Sequence, residues 1–160
     1  MDKRTKLPPR LSVLDRLLQG DSSDTDRNVQ RASRAVREAV RRDLELLLNT
    51  RPRCQSWLPE LTEVATSTVS FGMPDLQTRA VATESQREAF RVDLEAIIRR
   101  FEPRFRDLSV ELIVNPNPLD RTLRFRIHAV LTSDADSEVV VYDTLLDPAS
   151  RGLFVSTPKL

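Results

Sequence analysis

A single proline divides this chain into two kinds of pattern. Ile97-Ile98-Arg99-Arg100-Phe101 closes an amphipathic stretch, Glu102-Pro103-Arg104-Phe105 follows at once, and strand-like alternation begins within a few residues. Proline has no N–H to donate and disfavours the α conformation at the residue before it, so the helix must end at Glu102. Helical pattern precedes this corner and strand pattern follows it. A chain ordered in that way predicts an α+β fold, with two main helices packed on a small, mainly antiparallel sheet.

The helix that runs into the corner is expected to start near Thr83, where Thr83-x-x-Gln86 and Ser85-x-x-Glu88 both have the form of a capping box. Its apolar stripe is Phe90, Leu94, Ile97, Ile98 and Phe101, and burying each such side chain contributes at most roughly 1.5–3 kcal/mol. An earlier helix is expected from about Asn28 to Asn49. Val29, Ala32, Val36, Ala39, Val40, Leu44, Leu47 and Leu48 recur along it at helical spacing. Asp26 or Asn28 can cap its start and Asn49 can close its end. Arg31, Arg34, Arg37, Arg41 and Arg42 cover the other side, with Glu38 placed to pair with Arg42. That arginine face reads as a solvated or partner-facing surface in preference to a nucleic-acid patch.

Between the helices, Thr66-Ser67-Thr68-Val69-Ser70-Phe71 is rich in β-formers and predicts a short strand before a turn at Gly72. Trp57, flanked by Pro52 and Pro59, reads as cover for the core. After the corner, Leu108, Val110, Leu112 and Val114 alternate with Ser109, Glu111 and Ile113; Leu123, Phe125, Ile127 and Ala129 alternate with Arg124, Arg126 and His128. Val139 to Thr144 makes a third strand, and Gly152 to Val155 a weak fourth after a loop from Leu145. The pattern is that of an antiparallel meander, with Arg124, Arg126 and His128 on a wet or partner-covered face. Ahead of all this, residues 1–27 form a flexible N-terminal segment with a short amphipathic docking motif, Leu11, Leu14, Leu17 and Leu18, and residues 28–160 form the domain. The motif packs either on a partner or on its own domain.

Composition narrows the chemistry. With 25 basic and 24 acidic residues the net charge is +1, which argues against a general polyanion binder and leaves no nucleic-acid partner expected. The basic residues are nearly all arginine, which suits planar pairing with carboxylates at interfaces or records a GC-rich genome. One cysteine, Cys54, excludes an internal disulfide and fits a reducing compartment. No apolar run is long enough for a signal core or a membrane span, so a cytoplasmic protein without membrane insertion is expected. A single histidine rules out a multi-histidine metal site, and spacing gives no support to a Cys54–His128 pair. No glycine-rich phosphate loop appears. Catalytic residues, metal and cofactor are therefore all expected to be none. Glu102 could be imagined as the acid of a glycoside hydrolase, but Arg99, Arg100, Arg104 and Arg106 surround it in sequence and favour the ionised carboxylate. An ion pair of Glu102 with Arg104 is the better reading.

Several stretches occur together in a specific order: Ser12-Val13-Leu14-Asp15-Arg16-Leu17, Leu47-Leu48-Asn49-Thr50-Arg51, Phe71-Gly72-Met73-Pro74-Asp75-Leu76, Phe101-Glu102-Pro103-Arg104-Phe105 and Tyr142-Asp143-Thr144. With these the chain resembles the TssE family of type VI secretion systems, within the phage-tail baseplate wedge proteins often labelled lysozyme-like. The family commonly has Tyr where Phe71 stands, and Leu where Met73 and Phe105 stand. The resemblance implies a non-catalytic structural subunit of the baseplate. Its implied partners are the wedge subunits TssF and TssG and the sheath proteins TssB and TssC, with the sheet taking an added strand to initiate contractile sheath assembly. It also implies that Glu102, Pro103 and Arg104 form an interface motif. A muramidase-like cell-wall hydrolase is the alternative.

Overall fold

Val36, Val40, Leu44, Leu47 and Leu48 fall on one side of a helix and are all buried; that stripe, and its counterpart on a second helix, are what the sheet covers. The computed structural model describes residues 13, 17, 29–53, 56–74, 83–115, 122–132, 137–147 and 152–157. Within these, helix α1 is Val29–Asn49 and α2 is Glu84–Phe101. Strands β1 (Phe105–Ile113), β2 (Leu123–Thr132), β3 (Ser137–Asp147) and β4 (Gly152–Ser156) form one sheet in the order β1-β2-β3-β4, antiparallel throughout. The fold is α+β, with the helices on one face of the meander. Cys54 and the leucines of the N-terminal motif other than Leu17 lie outside the described residues; Val13 and Leu17 are helical and exposed.

The α2 boundaries follow from local chemistry. Thr83 Oγ1 accepts from the Gln86 N–H at 3.3 Å while Gln86 Oε1 accepts from the Thr83 N–H at 3.1 Å, the reciprocal pair of a capping box. At the other end the Glu102 N–H makes the last helical bond, to Ile98 C=O at 2.8 Å. Pro103 then stops the helix, and the Phe105 N–H returns to Glu102 C=O at 3.2 Å to launch β1. Along β2 the inward residues Leu123, Phe125, Ile127, Ala129 and Leu131 are all buried, as alternation requires. Phe90 of α2 meets Phe125 at a centroid distance of 5.4 Å. Tyr142, fully buried on β3, donates its hydroxyl to Arg37 C=O of α1 at 3.1 Å. Burial pushes that phenol up to about 12.

Three expectations are corrected. Residues Thr66 to Phe71 form no strand; a 3₁₀ turn, Thr62–Thr66, and bends occupy the region. Ser67 Oγ donates to Val64 C=O at 2.8 Å, and Ser70 Oγ lies within reach of Val64, Ala65 and Ser67 carbonyls at 2.6, 3.0 and 3.0 Å. Serine hydroxyls thus satisfy the backbone locally, in competition with a ladder. Second, β3 runs on through Leu145 and Leu146 to Asp147, because β4 pairs with that end. Third, the Glu38 carboxylate is taken by Arg41, at 2.9 Å from Nε and 2.8 Å from NH2, with Arg42 contributing charge at longer range.

The helices also share a motif that the sequence reading overlooked. Arg37-Glu38-Ala39-Val40-Arg41-Arg42-Asp43-Leu44-Glu45 of α1 and Arg87-Glu88-Ala89-Phe90-Arg91-Val92-Asp93-Leu94-Glu95 of α2 are identical at seven of nine positions. In each, the central arginine pairs with the glutamate three residues before it and the glutamate four residues after it.

Candidate functional site

The corner gathers residues from three parts of the chain. The end of α2 supplies Glu102, the turn after it supplies Pro103 and Arg104, and α1 contributes Asp43, Leu46 and Leu47 from its last two turns. With Phe71 and Phe101 they line an open groove of about 390 Å³. Its wall is stiffened by an edge-to-face contact of Phe71 with Phe101, centroids 5.3 Å apart and planes at 74°. The loop that carries Phe71 is tied to α1 because Gly72 adopts φ +120° and lets the Met73 N–H reach Thr50 C=O at 2.8 Å. An alanine Cβ at Gly72 would sit 2.3 Å from that carbonyl oxygen.

The three residues singled out from sequence play different parts. Glu102 is only 5% exposed, although it stands at a helix end. Pro103 is exposed and lines the groove. Arg104 meets Glu102 as a fork, Nε to Oε1 and NH2 to Oε2, both at 2.5 Å, and its backbone C=O accepts from the Thr132 N–H of β2 at 2.9 Å. The same NH2 reaches Asp43 Oδ2 of α1 at 2.6 Å. Asp43 is the member that sequence reasoning missed. Its signal was its place at the margin of the buried α1 stripe, four residues before Leu47, which sequence alone gave no cause to join to Arg104.

The electrostatics of the corner make Arg104 a permanent charge. The hydrogen bonds it donates to Glu102 hold the Arg104 guanidinium ionised more firmly than usual, against a burial that opposes it, and Asp43 adds to the effect. Both oxygens of the buried carboxylate are engaged by one guanidinium, so Glu102 is the acceptor of a bidentate clamp. A carboxylate near a helix C-terminus is opposed by the macrodipole by roughly 0.3–1 kcal/mol; the bidentate arginine is the compensation. Among the described residues no group of three or more His, Cys, Asp or Glu is placed to hold a metal ion. No described helix is long and apolar enough to cross a membrane.

The outer face of the sheet is the second polar surface. Arg126 of β2 makes a fork to Asp143 of β3 at 2.7 and 3.2 Å, and His128 Nε2 lies 3.6 Å from Glu111 Oε2 of β1. Arg124, Arg126 and His128 share this face as the alternation required, though Val139 and Phe154, 73% and 52% exposed, put apolar residues on it as well.

Among curated proteins nothing matches the chain. A protein-family model does: residues 34–136, from the first turns of α1 to just short of β3, match that described as Baseplate wedge protein gp25. The match covers most of the chain and contains both helices' repeated motif, the clamp of Asp43, Glu102 and Arg104, and the first half of the sheet, so the chain belongs to the baseplate wedge protein gp25 family.

Proposed function

We propose that this chain is the TssE-type subunit of a type VI secretion baseplate, a non-catalytic cytoplasmic part that binds the wedge subunits TssF and TssG. On this reading it also initiates assembly of the contractile sheath of TssB and TssC. Residues 28–160 serve as the wedge-type domain, and residues 1–27 as a docking segment. Family membership supports the structural role.

The observation that carries the interface reading is the corner itself. An apolar groove walled by Leu46, Phe71, Phe101 and Pro103 ends on a fixed charge cluster, which offers a partner apolar surface together with a charged landmark for register. Leu46 is 61% exposed at its rim. A leucine that exposed gives the isolated fold little, whereas a partner seated in the groove would bury it.

Co-expression with TssF and TssG followed by size-exclusion chromatography tests this. The wild-type chain is expected to co-elute with both as one complex. Leu46→Asp, at an exposed position, is expected to keep the wild-type melting temperature and to lose the complex. Elution of the wild-type chain alone would remove the partner assignment. Normal co-elution of a folded Leu46→Asp variant would take the interface away from the groove.

A further inference from the structure

An edge strand presents a row of outward N–H and C=O groups that another strand would pair with. In this chain the helices place side chains on those rows. At β4 the Leu153 N–H donates to Asn49 Oδ1 at 2.9 Å, and Asn49 Nδ2 donates to Leu153 C=O at 2.8 Å. That is the donor–acceptor exchange a residue of a neighbouring strand would make. Two residues on, Val155 C=O accepts from Arg41 NH1 at 3.0 Å, and Glu38 and Glu45 hold the guanidinium in place from either side.

The opposite edge is treated in the same way by the second copy of the repeat. Arg91, the counterpart of Arg41, stands between Glu88 and Glu95 and donates from NH1 to Val110 C=O of β1 at 2.9 Å. The Val110 N–H helps to hold the Glu95 carboxylate ionised, after Arg99 and Arg91 and against its burial. Arg99 NH2 takes Leu108 C=O at 3.0 Å. One motif, used twice, closes two edges.

The edges differ in what they would do if uncovered. β1 is broken by a register shift between Arg106 and Ser109, with Asp107 at φ 51°, and such a bulge spoils regular pairing. β4 pairs with β3 in continuous register over all of its residues and carries Phe154, 52% exposed, at its centre. We propose that β4 is a latched strand acceptor: Asn49 and Arg41 occupy it in the closed chain, and once they are withdrawn it pairs with β4 of a second copy. The inference rests on none of the partner assignments above.

A second copy fits because the edge complements itself. Antiparallel pairing centred on Phe154 sets Leu153 of each copy opposite Val155 of the other. Leu153 and Val155 are the residues whose backbone groups face outward, so both pairs exchange their bonds across a two-fold axis. The two Phe154 side chains then meet at the axis as a cross-strand aromatic pair on the outer face.

Sedimentation velocity over a concentration series, run on the 160-residue chain, compares wild type with the double variant Asn49→Ala/Arg41→Ala. Removing the competing hydrogen bonds is expected to tighten the dimer constant by about tenfold or more. Phe154→Lys in the same background sets like charges face to face at the axis and is expected to return association to the wild-type value. Where circular dichroism shows that the double variant has not folded, Asn49→Asp replaces it: it keeps the acceptor for the Leu153 N–H, turns a carboxylate toward the carbonyl, and is expected to shift association in the same direction. A folded variant that associates no more than wild type overturns the proposal. So does association that Phe154→Lys leaves unchanged.

Discussion

Removing the Arg104 guanidinium would strand the Glu102 carboxylate, which is 5% exposed, without the fork that engages both its oxygens. An uncompensated buried charge of that kind costs about 3–5 kcal/mol, and the one-third exposure of Arg104 places the cost toward the lower end. Arg104→Ala should therefore lower stability to urea in the isolated chain, not only in a complex. Asp43→Asn, at a half-exposed partner of the same guanidinium, should cost about 0.2–1 kcal/mol. Equal midpoint shifts for the two variants would contradict this ranking. Tyr142 gives a pH test. Its folded-state value is raised from 10.0 to about 12 by burial. The neutral phenol therefore contributes its full stability below about pH 10, and that contribution is lost as pH rises through 12. Urea titrations at stepped pH should show a loss of stability over that window that Tyr142→Phe lacks. At this scale the sequence was a partial guide. Glu102 and Arg104 are neighbours, so their pairing could be argued from spacing, whereas the 61-residue separation of Asp43 from Arg104 gave no local signal at all.

Elements were more legible than their connections. The capping box at Thr83 and the proline at 103 mark both ends of α2 in the chain itself, because each acts within a turn of the backbone. Strand alternation located β1 to β3 for the same reason: one buried face imposes period two. The misread stretch, Thr66 to Phe71, has strand-forming residues whose side chains also bond their own backbone, and composition cannot decide between those outcomes. Gly72 beside it is the element-scale constraint. Its φ of +120°, and the 2.3 Å that would separate an added Cβ from the Thr50 carbonyl oxygen, leave Gly72→Ala no relaxed position. The substitution should destabilise by about 1–3 kcal/mol and weaken the Met73-to-Thr50 bond that ties the groove loop to α1. Faster amide exchange at Met73, measured beside the melting temperature, would report it; an unchanged melt would show that the loop shifts without cost.

For the whole molecule, the arrangement asks one helix to serve both ends of the sheet. α1 is fastened to the corner through Asp43 and Arg104, where the first strand begins, and to the last strand through Asn49 and Leu153. Only about six residues separate the two fastenings, roughly 9 Å of helix at about 1.5 Å per residue. In mechanical terms α1 is a strut between opposite margins of the sheet. A pull applied at the corner is transmitted to the far margin along a rod of hydrogen-bonded backbone, with no compliant loop in the load path.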